Sequence, residues 1–328
     1  MGPADVRPDR WLAEQGLDKA SMGKASRTKV ESSRREKIAA QQAAARRAEQ
    51  RRWILIAGGS VFVVIVIVVA FVAFSANKKT PTATSTSSLT GTALASVVSK
   101  ATSVPASTLD SVGNGGGAVT NKPITISGSA LTSGGKPEML YEGAEYCPYC
   151  AAERWAMVVA LSRFGTFSGL ATTHSSSSDI FPNTPTWTFL NAKYTSQYLT
   201  FSSLEQYTNI KDASSPSGYS PLQTPTAAQT ALLAKYDNAP YVSSSDAGAI
   251  PFIDFGNKYM IVGASYNPQV LAGLSWSQVA TDLSSASSPV AKAVDGTANY
   301  LTAAICKMTG NQPASACTST VQSLESGL

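Results

Sequence analysis

The segment "EYCPYCAAERW", residues 145–155, sets Cys147 and Cys150 around Pro148 and Tyr149, directly ahead of a run with helical character. "EMLYEGA" leads into it as a strand. Beyond it, Trp155, Val158, Val159 and Ser162 recur at helical spacing, with Gly165 expected to close the helix. Cys147 is therefore expected where a strand ends and a helix begins. A sulfur there faces unpaired backbone amides and the positive end of the helix dipole, both of which favour the thiolate. On that reading Cys147 is the candidate nucleophile. Cys150, one turn inside, is within reach of any mixed disulfide that Cys147 forms. Pro148 sits in the first turn, where a missing amide hydrogen costs little. Tyr149 places no cation beside the thiolate, so the pair is not expected to be extremely oxidising.

Two other chemistries use a C-x-x-C. Zinc requires four Cys or His ligands, but the chain has a single histidine, His174, and its other cysteines, Cys306 and Cys317, have ten residues between them. No metal and no organic cofactor is expected. A structural staple is the second alternative, weakened because a bridge over so short a loop constrains the unfolded chain little. Cys306 and Cys317 read the other way. They bracket a helix end and a loop with Gly310 and Pro313, and a structural disulfide there would contribute roughly 3 kcal/mol in the chain-entropy model. His174, in a Ser-rich strand, reads as a surface or hydrogen-bonded residue unless folding brings it to Cys147.

Charge is unevenly distributed along the 328 residues. Residues 1–52 hold thirteen Lys and Arg against seven Asp and Glu, while the remainder carries a net charge of −1. From Trp53 to Phe74, "WILIAGGSVFVVIVIVVAFVAF" contains no charge, long enough at about 1.5 Å per residue to cross a hydrocarbon core about 30 Å thick. A single transmembrane helix is expected. The basic side places the N-terminus in the cytoplasm and the C-terminal bulk outside. "AFS" at 73–75 would pass as a signal-peptide cleavage site, but the apolar run is too long and its lead too extended, which favours an uncleaved anchor in the cell membrane. The basic tail reads as a solvated topology signal, with a patch for anionic lipid as the alternative; nucleic acid is not an expected partner.

These features divide the chain into a basic cytoplasmic tail (1–52), a membrane helix (53–74), a Ser/Thr-rich tether (75–92) and an extracytoplasmic domain (93–328). Within the domain, "ALASVVSKATSVPASTLDSV" suggests a helix broken near Pro105. "PITISG", "LATTHSSSSD" and "TPTWTFLNAKY" suggest strands. Residues 200–248 read as loop-rich, with a helix at "TAAQTALLAKYDN". "AIPFIDFGNKYMIVGAS", residues 249–265, has the pattern of a β-hairpin around Gly-Asn. "NPQVLAGLSWSQVATDLS" and "SPVAKAVDGTANYLTAAICKMTG" read as helices, the second ending at Gly310.

"AEYCPYC" after a strand, followed by a helix and much later by "AIPFIDFGNKYMIVG", resembles the active-site and cis-proline segments of the thioredoxin fold. The longer run "EYCPYCAAERWAMVVALSRFG", with "TSGGKPE" before it and paired C-terminal cysteines, is similar to the family catalogued as domain of unknown function 929, over about residues 93–328. The resemblance implies an α/β thioredoxin-like fold carrying a large insertion, residues 166–248, between the C-x-x-C helix and the cis-proline strand. Cys147 and Cys150 then take the redox pair and Pro251 the cis-proline. The backbone of Ile250, with Tyr149, would meet an extended substrate. Two departures stand out. Tyr141 occupies the place of the buried Asp six residues before the first cysteine, and the gap from Cys150 to Pro251 is much longer than in thioredoxin. The expected function is a membrane-tethered thiol–disulfide oxidoreductase acting on thiols or disulfides of exported proteins, with a membrane redox partner. The alternative is a non-catalytic binding or assembly subunit of a cell-envelope complex.

Overall fold

The computed structural model describes residues 88–328. The basic tail, the expected membrane helix and most of the tether lie outside the described residues. Among the described residues, no helix is long and apolar enough to cross a membrane.

Two short helices, α1 (Gly91–Thr102) and α2 (Ala106–Val112), flank Pro105. Proline lacks the amide hydrogen an interior helical position needs, and it disfavours helical backbone in the residue before it. Short strands β1 (Ile124–Thr125) and β2 (Thr132–Ser133) precede β3 (Lys136–Gly143), which runs into the cysteine pair and helix α3 (Pro148–Leu161). Then come β4 (Gly165–Ser168), β5 (Ala171–His174), β6 (Pro185–Thr188) and β7 (Lys193–Ser196). They pair antiparallel as β4 with β7 and β5 with β6. β8 (Thr200–Glu205) follows, with the hairpin strands β9 (Tyr207–Lys211) and β10 (Tyr219–Pro221) and helix α4 (Ala227–Tyr236). β11 (Phe252–Phe255) and β12 (Tyr259–Val262) lead to α5 (Trp276–Asp282), α6 (Pro289–Thr309) and α7 (Ser319–Glu325).

The main sheet is mixed. β1, β12, β11 and β3 pair antiparallel in that order. The other edge of β3 meets β2 at its start and, from Glu138 to Gly143, the parallel strand β8. Side chains alternate across the sheet. Met139 and Tyr141 of β3, with Ile253 and Phe255 of β11, join the large core shared with α1, α3 and α6. Leu140 and Phe252 point to the other face and form a smaller core under α4 with Ile126, Met260 and Tyr236. The β11–β12 turn follows the Gly-Asn reading, with both Gly256 and Asn257 at positive φ. Positive φ at both central residues, with the Lys258 amide on the Phe255 carbonyl (3.1 Å), gives a type I′ turn, and Lys258 lies between that turn and the Phe255–Tyr259 pair.

Three readings of the sequence are corrected. α3 stops at Leu161 with Ser162 as its C-cap, and Gly165 opens β4 instead of closing the helix. "NPQVLAGLSWSQVATDLS" is not one helix: a single 3-10 turn, Pro268–Leu271, is separated from α5, where Ser275 forms a capping box with Gln278 and so fixes a new start. Residues 166–248 are not one inserted block. β8 belongs to the main sheet, with β4 to β7 before it in the chain and β9, β10 and α4 after it. "TFSSLE" lacks the apolar run that marks an inner strand because it carries Ser202 and Ser203 at the sheet edge.

Candidate active site

β3 ends at Gly143 and a four-residue turn delivers Cys147 as the N-cap of α3. Its backbone is extended, its amide donates to the carbonyl of Ala144 (3.3 Å), and its carbonyl receives the amide of Ala151 (3.0 Å). The Cys147 sulfur receives the amide of Cys150 (3.3 Å), as a serine or aspartate oxygen does at an ordinary N-cap. Pro148 occupies the first turn as expected. Both cysteines are thiols. Cys147 is 5% exposed and Cys150 is fully buried, whereas Tyr149 between them is 40% exposed. The thiol of Cys147 points at the carbonyl oxygen of Ile250, 3.7 Å away. The Ile250–Pro251 peptide is cis. Thus the turn before β11 and the start of α3, a hundred residues apart in sequence, form one site.

The two thiols differ electrostatically. Burial works against ionisation of Cys147, yet the thiol and amide of Cys150, the charge of Arg154 and the amide of Tyr149 together hold its pKa below the ordinary cysteine value. Burial and the adjacent Cys147 push Cys150 well above it, with Arg154 pulling the other way. A helix-capping nucleophile with a lowered pKa and a protonated interior partner is the division of labour that disulfide exchange uses.

Under the pair lies a buried polar group that was not foreseen from sequence. Arg154 is fully buried; its guanidinium donates to both carboxylate oxygens of Glu205 (3.1 and 3.3 Å) and to the Ala144 carbonyl (3.1 Å). Glu205 stands opposite Gly143 in the parallel register. A Cβ on Gly143 would lie 2.2 Å from the Tyr141 hydroxyl and 3.0 Å from the Cys150 sulfur, so only glycine lets these groups close in. The Tyr141 hydroxyl is buried with no hydrogen-bond partner. A signal for Arg154 was present: charged Glu153 and Arg154 interrupt a helix that is otherwise apolar all round. Nothing in "TFSSLE" marks Glu205.

Aromatic side chains flank the cysteine pair. Tyr146 stacks on Tyr219 of β10 (4.1 Å, 3°), and Tyr149 meets Phe181 edge to face (5.9 Å). The amide of Ser176 donates to the Tyr146 carbonyl (2.8 Å), tying the β5–β6 loop to the site. His174 ends β5 with its Nδ1 2.8 Å from the Ser175 carbonyl oxygen. Cys306 and Cys317 form a disulfide, Cα–Cα 5.8 Å, at the far end of α6.

A mixed α/β fold with a thiol pair capping a buried helix is the class these features define. The chain belongs to the family described as Domain of unknown function (DUF929), whose model matches residues 122–307. The match contains Cys147, Cys150 and Pro251 but stops short of Cys317, a narrower span than residues 93–328. No curated protein and no solved structure matches the chain.

Proposed function

We propose that this chain is a thioredoxin-like thiol–disulfide oxidoreductase, held at the cell membrane by residues 53–74, that acts on exported proteins. Its single strongest support is the asymmetric thiol pair: Cys147 with a lowered pKa at the α3 N-cap, facing the Ile250 carbonyl, over a buried Cys150 with a raised one. The order β12, β11, β3, β8, with β8 parallel and β11 antiparallel to β3, is what a thioredoxin-like reading requires and supports it.

In the dithiol state the reaction runs as reduction of a partner. The Cys147 thiolate attacks one sulfur of the partner disulfide; a new S–S bond forms and the second partner sulfur leaves with the electron pair. Cys150 loses its proton and attacks Cys147, which closes the intramolecular disulfide and expels the first partner sulfur as a thiolate. Two electrons pass to the partner. A membrane dithiol or disulfide partner would reset the pair, and the same steps reversed would oxidise substrates. The low exposure of Cys147 favours a second reading, an assembly subunit whose thiols never turn over.

Trapping in membranes that carry the full chain separates the two. Cys150→Ser is expected to accumulate mixed disulfides with exported proteins on non-reducing gels, and Cys147→Ser to accumulate none. Equal trapping by both variants, or none by either with Cys147 inert to alkylation, would leave the assembly reading standing.

A further inference from the structure

The segments on either side of Cys147 carry opposite charges, each placed by a different element. On the first side Tyr146, next in sequence to Cys147, lies flat on Tyr219 (4.1 Å, 3°), and the Lys211 ammonium sits 4.1 Å from the centre of the Tyr219 ring. Tyr146 covers one face of that ring, so Lys211 takes the other. Lys211 stands opposite Tyr219 in the β9–β10 hairpin, whose register fixes the pair. Burial works against ionisation of the Tyr219 hydroxyl, yet Lys211, Ser176 and Ser178 together hold it below the ordinary tyrosine value, as donors around an anion do. Asp212, the next residue, has its carboxylate occupied by the amide and hydroxyl of Ser214 (2.9 and 2.6 Å).

On the second side stands Asp179, two residues before Phe181, whose ring meets Tyr149. Burial first, then the charges of Cys147 and Asp179, raise the Tyr149 hydroxyl, so that carboxylate is within electrostatic reach of the residue between the cysteines. Ser176, Ser178 and Asp179 all belong to the β5–β6 loop, and one loop therefore touches both sides. Lys211 is exposed and Asp179 half-buried. Among the described residues the ion pairs are Arg154–Glu205 and Lys307–Glu325, so neither charge is cancelled by an ionic partner. A lysine held on an aromatic face keeps its charge while losing side-chain freedom, so an arriving carboxylate meets a cation already ordered.

We propose that Lys211 and Asp179 select the partner polypeptide and its direction across Cys147: the partner carries an acidic residue on the Tyr219–Lys211 side of its reacting cysteine and a basic residue on the Tyr149–Asp179 side. This rests on the oxidoreductase reading. One direction of such a chain satisfies both contacts, and the reverse direction sets like charges together on both sides. Each contact is exposed and modest by itself, but both enter the difference between the two directions. Arg154 and Glu205 beneath the thiols pair with each other and favour neither side. The two charges act on the approach of the partner and leave the exchange chemistry to the cysteines.

Two end-capped peptides of identical composition test this, Asp-Ala-Cys-Ala-Lys and Lys-Ala-Cys-Ala-Asp, each carried as the mixed disulfide of its cysteine with thionitrobenzoate. Stopped-flow mixing with the reduced full-length protein in detergent follows the first step, in which the Cys147 thiolate bonds to the peptide sulfur and thionitrobenzoate leaves with the electron pair. Net charge and leaving group are the same in both, so only the order of charges differs. At about 10 mM salt one peptide is expected to react about fivefold faster than its reverse. At about 1 M salt, where the Debye length is about 3 Å, the ratio should fall towards one. Lys211→Glu combined with Asp179→Lys should invert the preference, whereas a structural lesion would slow both peptides alike. Equal rates at low salt, or a preference that the double exchange leaves in place, overturn the proposal and leave the oxidoreductase reading intact. No release from either peptide overturns both. Should the double variant fail to fold, Lys211→Gln alone must at least halve the ratio, and an unchanged ratio overturns the proposal.

Discussion

The two cysteine pairs sit at opposite ends of two buried helices. Cys147 caps the N-terminus of α3, where free amides and the dipole favour an anion. Cys306 lies in the last turn of α6, just ahead of the left-handed Gly310, where carbonyls face outward and the dipole disfavours a thiolate. Around the first pair are Arg154, Glu205 and an unpartnered tyrosine hydroxyl; around the second are core side chains such as Ala316 and Val321. Burial alone does not distinguish them, since Cys150 and Cys306 are equally inaccessible. Helix end and neighbouring charge do. One pair is found as thiols and the other as a disulfide.

Under the proposed function this contrast divides chemistry from stability between the two regions, and pH offers the hardest test of that proposal. Asp295, in the middle of α6, is buried with both carboxylate oxygens unpartnered, and burial raises it to about 8. Burial also lifts Glu142, Glu153, Glu205 and Asp254 to about 7. In each case the folded state holds its proton to a higher pH than the unfolded chain does. The stability these groups allow is therefore complete below the unfolded carboxylate range and is lost as pH rises through about 7 to 8. For Asp295 alone the loss from pH 5 to pH 8 is up to about 4 kcal/mol. Melting temperature should fall over that interval, and Asp295→Asn should flatten the fall and raise the value at pH 8. Thiol exchange by the folded variant should keep its pH profile. A changed profile would show that α6 is coupled to the chemistry, and the division would fail.

Breaking the second pair should have the next largest effect. The bridge spans eleven positions of sequence, so Cys306→Ala with Cys317→Ala is expected to cost about 3 kcal/mol in the chain-entropy model and lower the melting temperature by several degrees. Exchange through Cys147 should persist in the folded fraction. Loss of exchange at full folding would make the C-terminal cysteines a relay.

Local signals carried the sequence reading a long way, and distance in sequence limited it. The strand, the cysteine spacing and Pro148 locate the α3 start because each acts on its immediate neighbours. The Gly256-Asn257 turn and the Gly310 cap were legible for the same reason, since positive φ restricts residue choice. Pro251 entered only through resemblance, and the structure then places the Ile250 carbonyl on Cys147. By contrast, β8 is recruited to the sheet by pairing with β3, not by its own composition, so "TFSSLE" passed as loop. Glu205 was hidden with it. Arg154 was visible as a charge, but only the partner on β8 explains why an arginine can be buried there.

The smallest expected effect sharpens what distinguishes the first pair at its surface. Tyr149 is among the large hydrophobic side chains left exposed in the described residues, and it stands between the cysteines with its ring against Phe181. Its loss should leave the fold nearly intact, because an edge-to-face contact at a half-exposed site is worth about 1 kcal/mol or less. What it offers is apolar area beside the barely accessible Cys147 sulfur, and under the proposed function a polypeptide partner would pack on it. Tyr149→Ala is therefore expected to slow exchange with a disulfide-bonded protein about fivefold, equivalent to about 1 kcal/mol. Reaction with a small aromatic disulfide should remain within about twofold or accelerate as Cys147 becomes more exposed. Equal slowing of both would mean that the ring positions Cys147 and does not receive the partner. No slowing of either would place the docking surface elsewhere, on the Tyr146 and Tyr219 side of Cys147, where the same measurement with Tyr219→Ala would find it.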